Sequence, residues 1–377
     1  MNDRLDRIRA AMAEEGLDAL LVSSAVEDMF GLNAQNRTYV SGFTGSTGYV
    51  LVTRDRAIIA LDFRYTEQGG QECVPFGFEV WKREGHHKEW IPNLIRYAEL
   101  TGRKIGVSKA DMSLAEYDTL QRSIEELPWA LRPEIGPASP IIEKLRQRKT
   151  IEELMVLEKA IQVADNAFER VQAAVEPGMT ERRIAEMVRE AVRDLGASDV
   201  SFDTIVAAGP HGALPHASPR DVPVQAGEPI VIDMGARYDG YCSDLTRTFV
   251  VGEPPARFRE IYDIVFAAQQ AAIEGIEPGM TGVQADELAR SVIHNAGYGD
   301  EFGHGLGHGV GLQVHEAPYL GPTSEDVIEE GMVFTIEPGI YLPGEFGVRI
   351  EDIVVLENGK ARVLSHATKL TPAGAKQ

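Results

Sequence analysis

The segment GHGLGHGVGLQVHE at residues 303–316 combines three histidines with a glycine at every odd position from Gly303 to Gly311. His304 and His308 have the four-residue spacing of a zinc-binding helix, but each interior glycine would cost such a helix about 1 kcal/mol relative to alanine. We therefore predict an extended segment, in which the alternate glycines let another backbone or a ligand approach closely. Packing alone is a poor reason for such a weak strand, so at least one histidine is expected to be functional.

Two aspartates lie in PIVIDMGARYDGYCSDLTRTFVV at residues 229–251. The Asp-Gly dipeptide at 239–240 predicts a hairpin with a two-residue turn. In that register Asp233 lies opposite Thr246, and Asp244 shares its face. Two carboxylates on one face beside apolar residues repel each other unless something positive lies between them.

A second acidic arrangement lies in GMVFTIEPGIYLPGEFGVRIEDIVVLENG at residues 331–359. Glu337 ends an apolar strand, while Arg349 and Glu351 are two apart on the next strand and so point to one side. Buried acidic groups are normally paired or bound to metal. Four carboxylates with one or two histidines suit Mn²⁺, Co²⁺, Zn²⁺ or Fe²⁺ better than a structural zinc. Because four carboxylates exceed the need of one divalent ion, we predict two ions, roughly 3.5–4 Å apart.

The elements that position these residues are predicted by an internal repeat. EPGMT occurs at residues 176–180 and again at 277–281, each time between two helical patterns and ahead of strand-rich sequence. This indicates a structural duplication, with two similar α+β halves that face each other across a cleft. The T-x-x-E spacing of Thr150 and Glu153 predicts a capping box at the start of a long helix before the first copy.

The first part of the chain alternates strand-like and helical stretches, as an α/β domain does. The strand-like runs are DALLVSS, GYVLVT and AIIALD. EIGPASP at residues 134–140 is rich in Pro and Gly, and we predict the domain boundary there.

Composition excludes several classes of partner. The formal net charge of −21 disfavours nucleic acid and anionic membranes, whose phosphates would be repelled. The sequence contains no run of 18 or more apolar residues, so no membrane span is predicted. The N-terminus is typical of a polar amphipathic helix and not of a signal peptide. Two cysteines make no disulfide framework, so we expect a cytoplasmic protein.

The motifs DMGARYDGYCSDLTRT, GHGLGHGVGLQVHE, TIEPGIY and GVRIED occur in the order found in the pita-bread metallopeptidases. The chain resembles the Xaa-Pro branch of this family, prolidase and aminopeptidase P, over essentially its whole length. The resemblance implies an α+β fold: a pseudo-symmetric pita-bread catalytic domain at residues 139–377, after a smaller creatinase/prolidase-like α/β domain at 1–138.

The resemblance also implies a set of site residues. The metal ligands would be Asp233, Asp244, His308, Glu337 and Glu351, with Asp244 and Glu351 bridging two divalent ions, Mn²⁺ first and Co²⁺ or Zn²⁺ as alternatives. The active-site residues would be His216, His304, His315, Arg349 and Glu337. In the mechanism this implies, Glu337 carries a proton from water to the leaving proline nitrogen, and His315 or His216 donates to the developing oxyanion.

The predicted function is hydrolysis of the bond between an N-terminal residue and a following proline. Xaa-Pro dipeptidase is favoured and aminopeptidase P is the near alternative, because Arg349 suits a free substrate carboxylate or a longer peptide equally. The predicted partners are small peptides with proline at the second position, and the resemblance suggests a homodimer. Two competing functions are a methionine aminopeptidase, which would lack the N-terminal domain, and a pita-bread module that binds peptides without cleaving them, which is expected to have lost ligands.

Overall fold

The computed structural model describes residues 2–23, 35–109 and 111–370. Two compact units divide the chain at Met1–Arg146 and Gln147–Gln377. The boundary expected from the sequence, between residues 138 and 139, lies before the short helix that ends the first unit.

The first unit is an α/β domain built on a six-stranded sheet in the order β4-β3-β2-β1-β5-β6. Its strands are β1 Ala19–Val22, β2 Tyr49–Thr53, β3 Ala57–Leu61, β4 Glu79–Lys82, β5 Lys104–Val107 and β6 Glu134–Pro137. Its helices are α1 Asn2–Glu14, α2 Gln35–Ser41, α3 Thr66–Glu72, α4 His87–Tyr97, α5 Leu114–Ile124 and α6 Ile141–Gln147. The three strand-like runs of the sequence form β1, β2 and β3, so those predictions are confirmed.

The second unit has longer helices and shorter strands. Its helices are α7 Ile151–Ala174, α8 Glu181–Asp194, α9 Ala256–Gly275 and α10 Gly282–Asn295. Its strands are β7 Asp199–Val200, β8 Ile205–Ala208, β9 Pro229–Met234, β10 Ala236–Tyr238, β11 Tyr241–Cys242, β12 Leu245–Val250, β13 Gly307–Gly309, β14 Glu316–Leu320, β15 Val333–Ile336, β16 Gly339–Leu342, β17 Phe346–Arg349, β18 Asp352–Glu357 and β19 Lys360–Val363. The capping box at the start of α7 is present, with Thr150 and Glu153 bonded reciprocally.

The predicted duplication is present in this unit. Both copies of EPGMT join two helices, and each threonine caps the second helix through its side chain, Thr180 on α8 and Thr281 on α10. The glycines match as well, with φ of 96° at Gly178 and 91° at Gly279. In the first half β8 and β12 flank β9, and in the second β13 and β18 flank β15. Each half therefore packs two helices on one antiparallel layer.

Each half has its own hydrophobic core. In the first, α7 and α8 pack on β8, β9 and β12 through residues such as Phe168 and Ile230. In the second, α9 and α10 pack on β15 and β18 through Val265 and Phe334. Within the ranges that the structure describes, no helix combines the length and apolarity needed to cross a membrane.

The acidic hairpin has the predicted register. Asp239 and Gly240 form its turn with φ of 46° and 83°, and Asp233 lies opposite Thr246. It is not one continuous pair of strands, however, because the pairing is divided at Gly235. A Cβ there would lie 1.9 Å from the Ser243 carbonyl oxygen, so the backbones approach too closely for any other residue.

The prediction that Arg349 and Glu351 share one strand is wrong. Arg349 ends β17 and pairs with Gly339, whereas Asp352 begins β18 and pairs with Ile336. The chain changes partner between these strands, and the Glu351 N–H donates instead to the Thr246 carbonyl, 3.1 Å away. Contact between the two halves therefore sets the position of Glu351.

Three of the five alternate glycines make close approaches to backbone, as predicted. A Cβ would lie 2.6 Å from the Leu320 carbonyl oxygen at Gly305, 2.0 Å from that of Thr335 at Gly307 and 2.3 Å from that of Ala317 at Gly309. The regular strand is limited to β13, with His308 at its centre. The glycines thus seat this histidine deep between neighbouring strands.

Candidate metal centre

Four carboxylates occupy matching places in the two halves. Asp233 lies near the end of β9 and Glu337 directly follows β15, the central strand of the other half. Asp244 directly precedes β12, and Glu351 directly precedes β18. Each half thus contributes one carboxylate from the end of its central strand and one from the start of the next.

These carboxylates converge with two histidines. Three overlapping groups have ligand atoms that all lie within 4.8 Å of one another: Asp233, Asp244 and Glu351; His308, Glu337 and Glu351; and Asp244, His308 and His315. The five residues expected as metal ligands are therefore brought together, and His315 lies beside them.

The carboxylates carry an unsatisfied need for positive charge. Burial, and then the neighbouring carboxylates, raise the pKa values of Asp244 and Glu351 well above their ordinary range. Within the described ranges, three buried carboxylate oxygens find no hydrogen-bond donor: Asp233 Oδ1, Asp244 Oδ1 and Glu351 Oε1. Buried anions in this state are normally stabilised by metal, and an oxygen-rich set with one imidazole fits divalent ions of the Mn²⁺, Co²⁺ and Zn²⁺ type.

Glu337 is held in the ionised form. Burial alone would raise its pKa, but the hydrogen bond and charge of His308, with His304 and Arg349, lower it to about 2. Its Oε1 lies 3.2 Å from His308 Nε2 and accepts from the Thr335 hydroxyl at 3.1 Å. Of the four acids, this is the one whose surroundings favour the ionised form, which is the form that can accept a proton.

The His308 ring is oriented by its own backbone. Nδ1 donates to the Gly309 carbonyl at 3.0 Å, which directs Nε2 towards Glu337 and towards Asp244 Oδ2, 3.7 Å away. A carbonyl partner on the far nitrogen is the usual device that fixes the tautomer of a metal-binding histidine. The ring is therefore presented to the carboxylates through Nε2, and despite burial the hydrogen bond and charge of Glu337 raise the pKa of His308.

His315 projects from the loop after β13 and is exposed. Its ring centroid lies 4.2 Å from that of His308. Loss of solvation and the charge of His308 lower its pKa to about 4, so it is neutral at physiological pH. The next residue, Glu316, forms a buried ion pair at 2.7 Å with Lys149, just before α7, and this pair holds the loop.

A chain of hydrogen bonds links His304 to Asp233. Arg349 Nη2 donates to Asp233 Oδ2 at 2.5 Å, and Nη1 donates to the Tyr341 hydroxyl at 2.8 Å. Tyr341 in turn lies 2.9 Å from His304 Nε2, whose Nδ1 donates to the Gly305 carbonyl. Tyr341 therefore donates to His304, and burial lowers the pKa of this neutral histidine.

Sequence reasoning missed two residues of this network, Tyr341 and Thr246. The Thr246 hydroxyl donates to Glu351 Oε2 at 2.7 Å and accepts from Arg349 Nε at 3.1 Å. The structure also explains Gly339, which lies opposite Arg349 in the hairpin, because a Cβ there would lie 2.8 Å from the Tyr341 oxygen.

His216 lies apart from the carboxylate cluster, exposed on the loop that follows β8. Arg349 Nη1 also donates to the carbonyl of Pro215, the residue before it, at 3.3 Å. A positive charge on His216 would lower the pKa values of Asp233, His304 and His315.

The duplicated fold and its carboxylate-rich centre define a protein with a candidate site for divalent metal between two similar halves. Residues 156–358 match the model of metallopeptidase family M24, and residues 4–148 match the creatinase/prolidase N-terminal domain. The chain therefore belongs to metallopeptidase family M24.

Relatives of known structure or name extend over both units. The chain is 37% identical over 365 residues to a Xaa-Pro dipeptidase of Pyrococcus furiosus, covering 96% of this chain and 98% of the relative. A structure named Xaa-Pro dipeptidase from Bacillus anthracis has a TM-score of 0.89 at 37% identity, with 98% of each chain covered. The X-Pro aminopeptidase of Thermotoga maritima has a TM-score of 0.86 at 34% identity, with 97% and 98% covered.

Proposed function

We propose that this protein is an exopeptidase that cleaves the bond between an N-terminal residue and a following proline, with free Xaa-Pro dipeptides as its preferred substrates. The observation that carries the proposal is the convergence of four strand-end carboxylates with His308, three of their oxygens being buried without a donor in the described structure. The substrate class is supported by the names of the full-length relatives. Retention of every expected ligand speaks against a module that only binds peptides.

We propose that two divalent ions bind here, Mn²⁺ first and Co²⁺ or Zn²⁺ as alternatives. Asp233, Asp244, His308, Glu337 and Glu351 would hold them. The chemistry that such ions supply in hydrolases is polarisation of the scissile carbonyl and activation of water at neutral pH.

The proton transfers fall to the protein. Glu337, kept ionised by His308, would accept the proton of the attacking water and deliver it to the leaving proline nitrogen. Neutral His315, or His216 on its loop, would donate a hydrogen bond to the carbonyl oxygen as negative charge develops there. Asp233, fixed by Arg349, would attract the free α-amino group of the substrate and so restrict cleavage to the N-terminal residue.

We assign Arg349 no part in the choice between dipeptides and longer peptides. Its guanidinium is 4% exposed and already bonds Thr246, Tyr341, Pro215 and Asp233. We therefore assign it the role of holding Asp233 rather than a substrate carboxylate. The Thermotoga maritima neighbour supports an aminopeptidase activity instead, and substrate length must be measured.

We further propose a cytoplasmic homodimer. Both cysteines, Cys73 and Cys242, are buried free thiols, as expected of a reducing compartment. The oligomeric state follows from the family resemblance alone and is tested by light scattering on the purified chain.

The test uses purified protein dialysed against chelator and reconstituted with Mn²⁺, Co²⁺ or Zn²⁺. We expect kcat/KM for Leu-Pro and Ala-Pro to exceed that for Ala-Pro-Ala, with Met-Ala as the control lacking proline. Elemental analysis should find two ions per chain. A clear preference for the tripeptide would favour aminopeptidase P, and cleavage of Met-Ala alone would overturn the proline specificity. Full activity in metal-free protein would overturn the metal centre.

A further inference from the structure

The carboxylate of Glu181, at the start of α8, gathers hydrogen bonds from three parts of the chain. The residue is 1% exposed. Its oxygens accept from the Ala208 N–H at 3.0 Å, from His211 Nδ1 at 2.9 Å and from the Arg220 N–H at 2.9 Å. The Arg220 side chain adds bonds at 3.2 and 3.3 Å. None of these donors belongs to α8 itself.

The donors lie at the two ends of one loop, residues 209–220, which we call the His216 loop. Ala208 and His211 stand where the chain leaves β8, and Arg220 stands where the loop returns. His216 lies between them and is exposed. A single buried carboxylate therefore closes the base of the loop that carries this histidine.

The group that joins the two ends of the His216 loop, the Glu181 carboxylate, is charged. Burial alone would raise the pKa of Glu181, but the bonds from Arg220, the Ala208 N–H and His211 lower it below its ordinary value. Hydrogen bonds to an ionised carboxylate are roughly twice as strong as neutral ones. The position at the first turn of α8 adds the favourable field of a helix N-terminus.

The equivalent helix of the other half begins without such a carboxylate. The residue after the second EPGMT is Gly282, and a Cβ there would lie 2.2 Å from the Tyr319 carbonyl oxygen. Helix α10 begins at this glycine with the same threonine cap. A glutamate at this position is therefore not needed to start the second helix, and only the half with the His216 loop has one.

We infer that Glu181 is a positioning residue for His216, which it serves by tying together both ends of the His216 loop. Its effect on turnover rests on the proposed function. Its effect on the order of the loop does not, so the two can be tested separately.

The test compares Glu181→Gln with a matched control on the same helix, Glu186→Gln, whose side chain is 57% exposed. Glutamine keeps the size of the side chain but replaces one acceptor oxygen by a donor. We expect kcat/KM for Leu-Pro to fall roughly 10- to 100-fold in Glu181→Gln, the scale of a small misplacement at a reacting centre. Metal content should be unchanged, and the control should match the parent protein.

A double-mutant cycle with His216→Ala separates positioning from general damage. If Glu181 acts through His216, adding Glu181→Gln to His216→Ala should cost less than about twofold more. The inference would be overturned if the fold loss in kcat/KM of the double variant equalled the product of the two single losses. It would also be overturned if Glu181→Gln had parental activity. If Glu181→Gln fails to fold, Arg220→Ala is put through the same cycle. It removes the two guanidinium bonds to Glu181 and leaves those from the Arg220 N–H, the Ala208 N–H and His211.

Hydrogen exchange on the free enzyme gives a readout that needs no substrate. Backbone amides at residues 212–218 should exchange faster in Glu181→Gln and Arg220→Ala, and at the parental rate in Glu186→Gln. Unchanged exchange in both Glu181→Gln and Arg220→Ala would overturn this inference. Failure of the parent enzyme to cleave any Xaa-Pro substrate would instead overturn the proposed function.

Discussion

The two halves of the second unit have similar backbone folds but contribute different side chains to the site. Around the two EPGMT copies the hydrogen bonds agree pair by pair: Gly178 N–H to Val224 at 2.9 Å and Gly279 N–H to Ile328 at 2.8 Å. The carboxylates agree as well, two at matching strand ends in each half. One of the two strands beside each central strand differs. Beside β9, strand β8 is Ile-Val-Ala-Ala, whereas beside β15, strand β13 is Gly-His-Gly.

This difference shows how a duplicated fold can form a site whose acids are symmetric while its histidine comes from one half. The shared strand ends deliver acids symmetrically, so either half alone would supply only two like charges. The imidazole next to those acids comes from the second half. There His308 lies between two glycines of β13, which let the neighbouring backbone approach closely. Instead of a histidine on a strand, the first half contributes His216 on a loop whose two ends are joined by Glu181.

The largest effect should come from the symmetric acids. Asp244→Asn and Glu351→Gln each remove a carboxylate that faces the other three. We expect kcat/KM for Leu-Pro to fall by more than the roughly 10- to 100-fold typical of residues outside the first coordination shell, and metal content to fall in both variants. If one variant kept its metal and activity, the two halves would not contribute equally.

The two histidines of the second half should behave differently. His308→Ala removes the imidazole beside Glu337 and Asp244 and should lower both metal content and rate. His304→Ala leaves the carboxylates untouched but deprives the Tyr341 hydroxyl of its acceptor. It should keep the metal and lose turnover, roughly 10- to 100-fold. Elemental analysis with kinetics decides this, and equal metal loss in both variants would contradict a single histidine ligand.

A stability effect should follow from the glycines that seat β13. Gly307→Ala places a Cβ 2.0 Å from the Thr335 carbonyl oxygen, so we expect a loss of about 3 kcal/mol, the upper end of usual overpacking costs. Gly303→Ala is the matched control, because no described atom lies within 4 Å of its Cβ. Its cost should stay within about 0.5 kcal/mol. Urea unfolding measures both, and equal costs would refute the close-approach explanation.

The smallest effect tests the symmetry itself. Gly178→Ala and Gly279→Ala each force alanine into a left-handed backbone conformation, at φ of 96° and 91°, with open space around the Cβ. Each should cost about 1–2 kcal/mol. The two costs should agree within about 0.5 kcal/mol, because the surrounding hydrogen bonds match. A clear difference in urea midpoint would show that the halves are energetically unlike despite their common backbone.

Much of the site could be predicted because its signals are local. An Asp-Gly turn sets the hairpin register whatever surrounds it, and so Asp233 could be placed opposite Thr246 from the sequence. The change of strand partner after Arg349 could not be predicted, because the alternation of side chains is the same whether a strand continues or moves to another sheet. Tyr341 was missed for a related reason, since an apolar strand position gives no sign that its hydroxyl reaches a buried arginine.

By itself the sequence determined the residue types at the site, the repeat that carries them, and the turns and helix caps, since each depends on neighbours along the chain. The alternate glycines around His308 could be read as a sign of close approach, but only the tertiary structure decided which backbone approaches them. Tertiary structure alone decided that the Glu351 N–H bonds to the other half, that Arg349 holds Asp233 rather than facing outward, and that Glu181 closes the His216 loop. The physical reason is that these contacts join residues far apart in sequence, and a buried charge takes its partner from whichever element the packing of the two halves brings within hydrogen-bond distance.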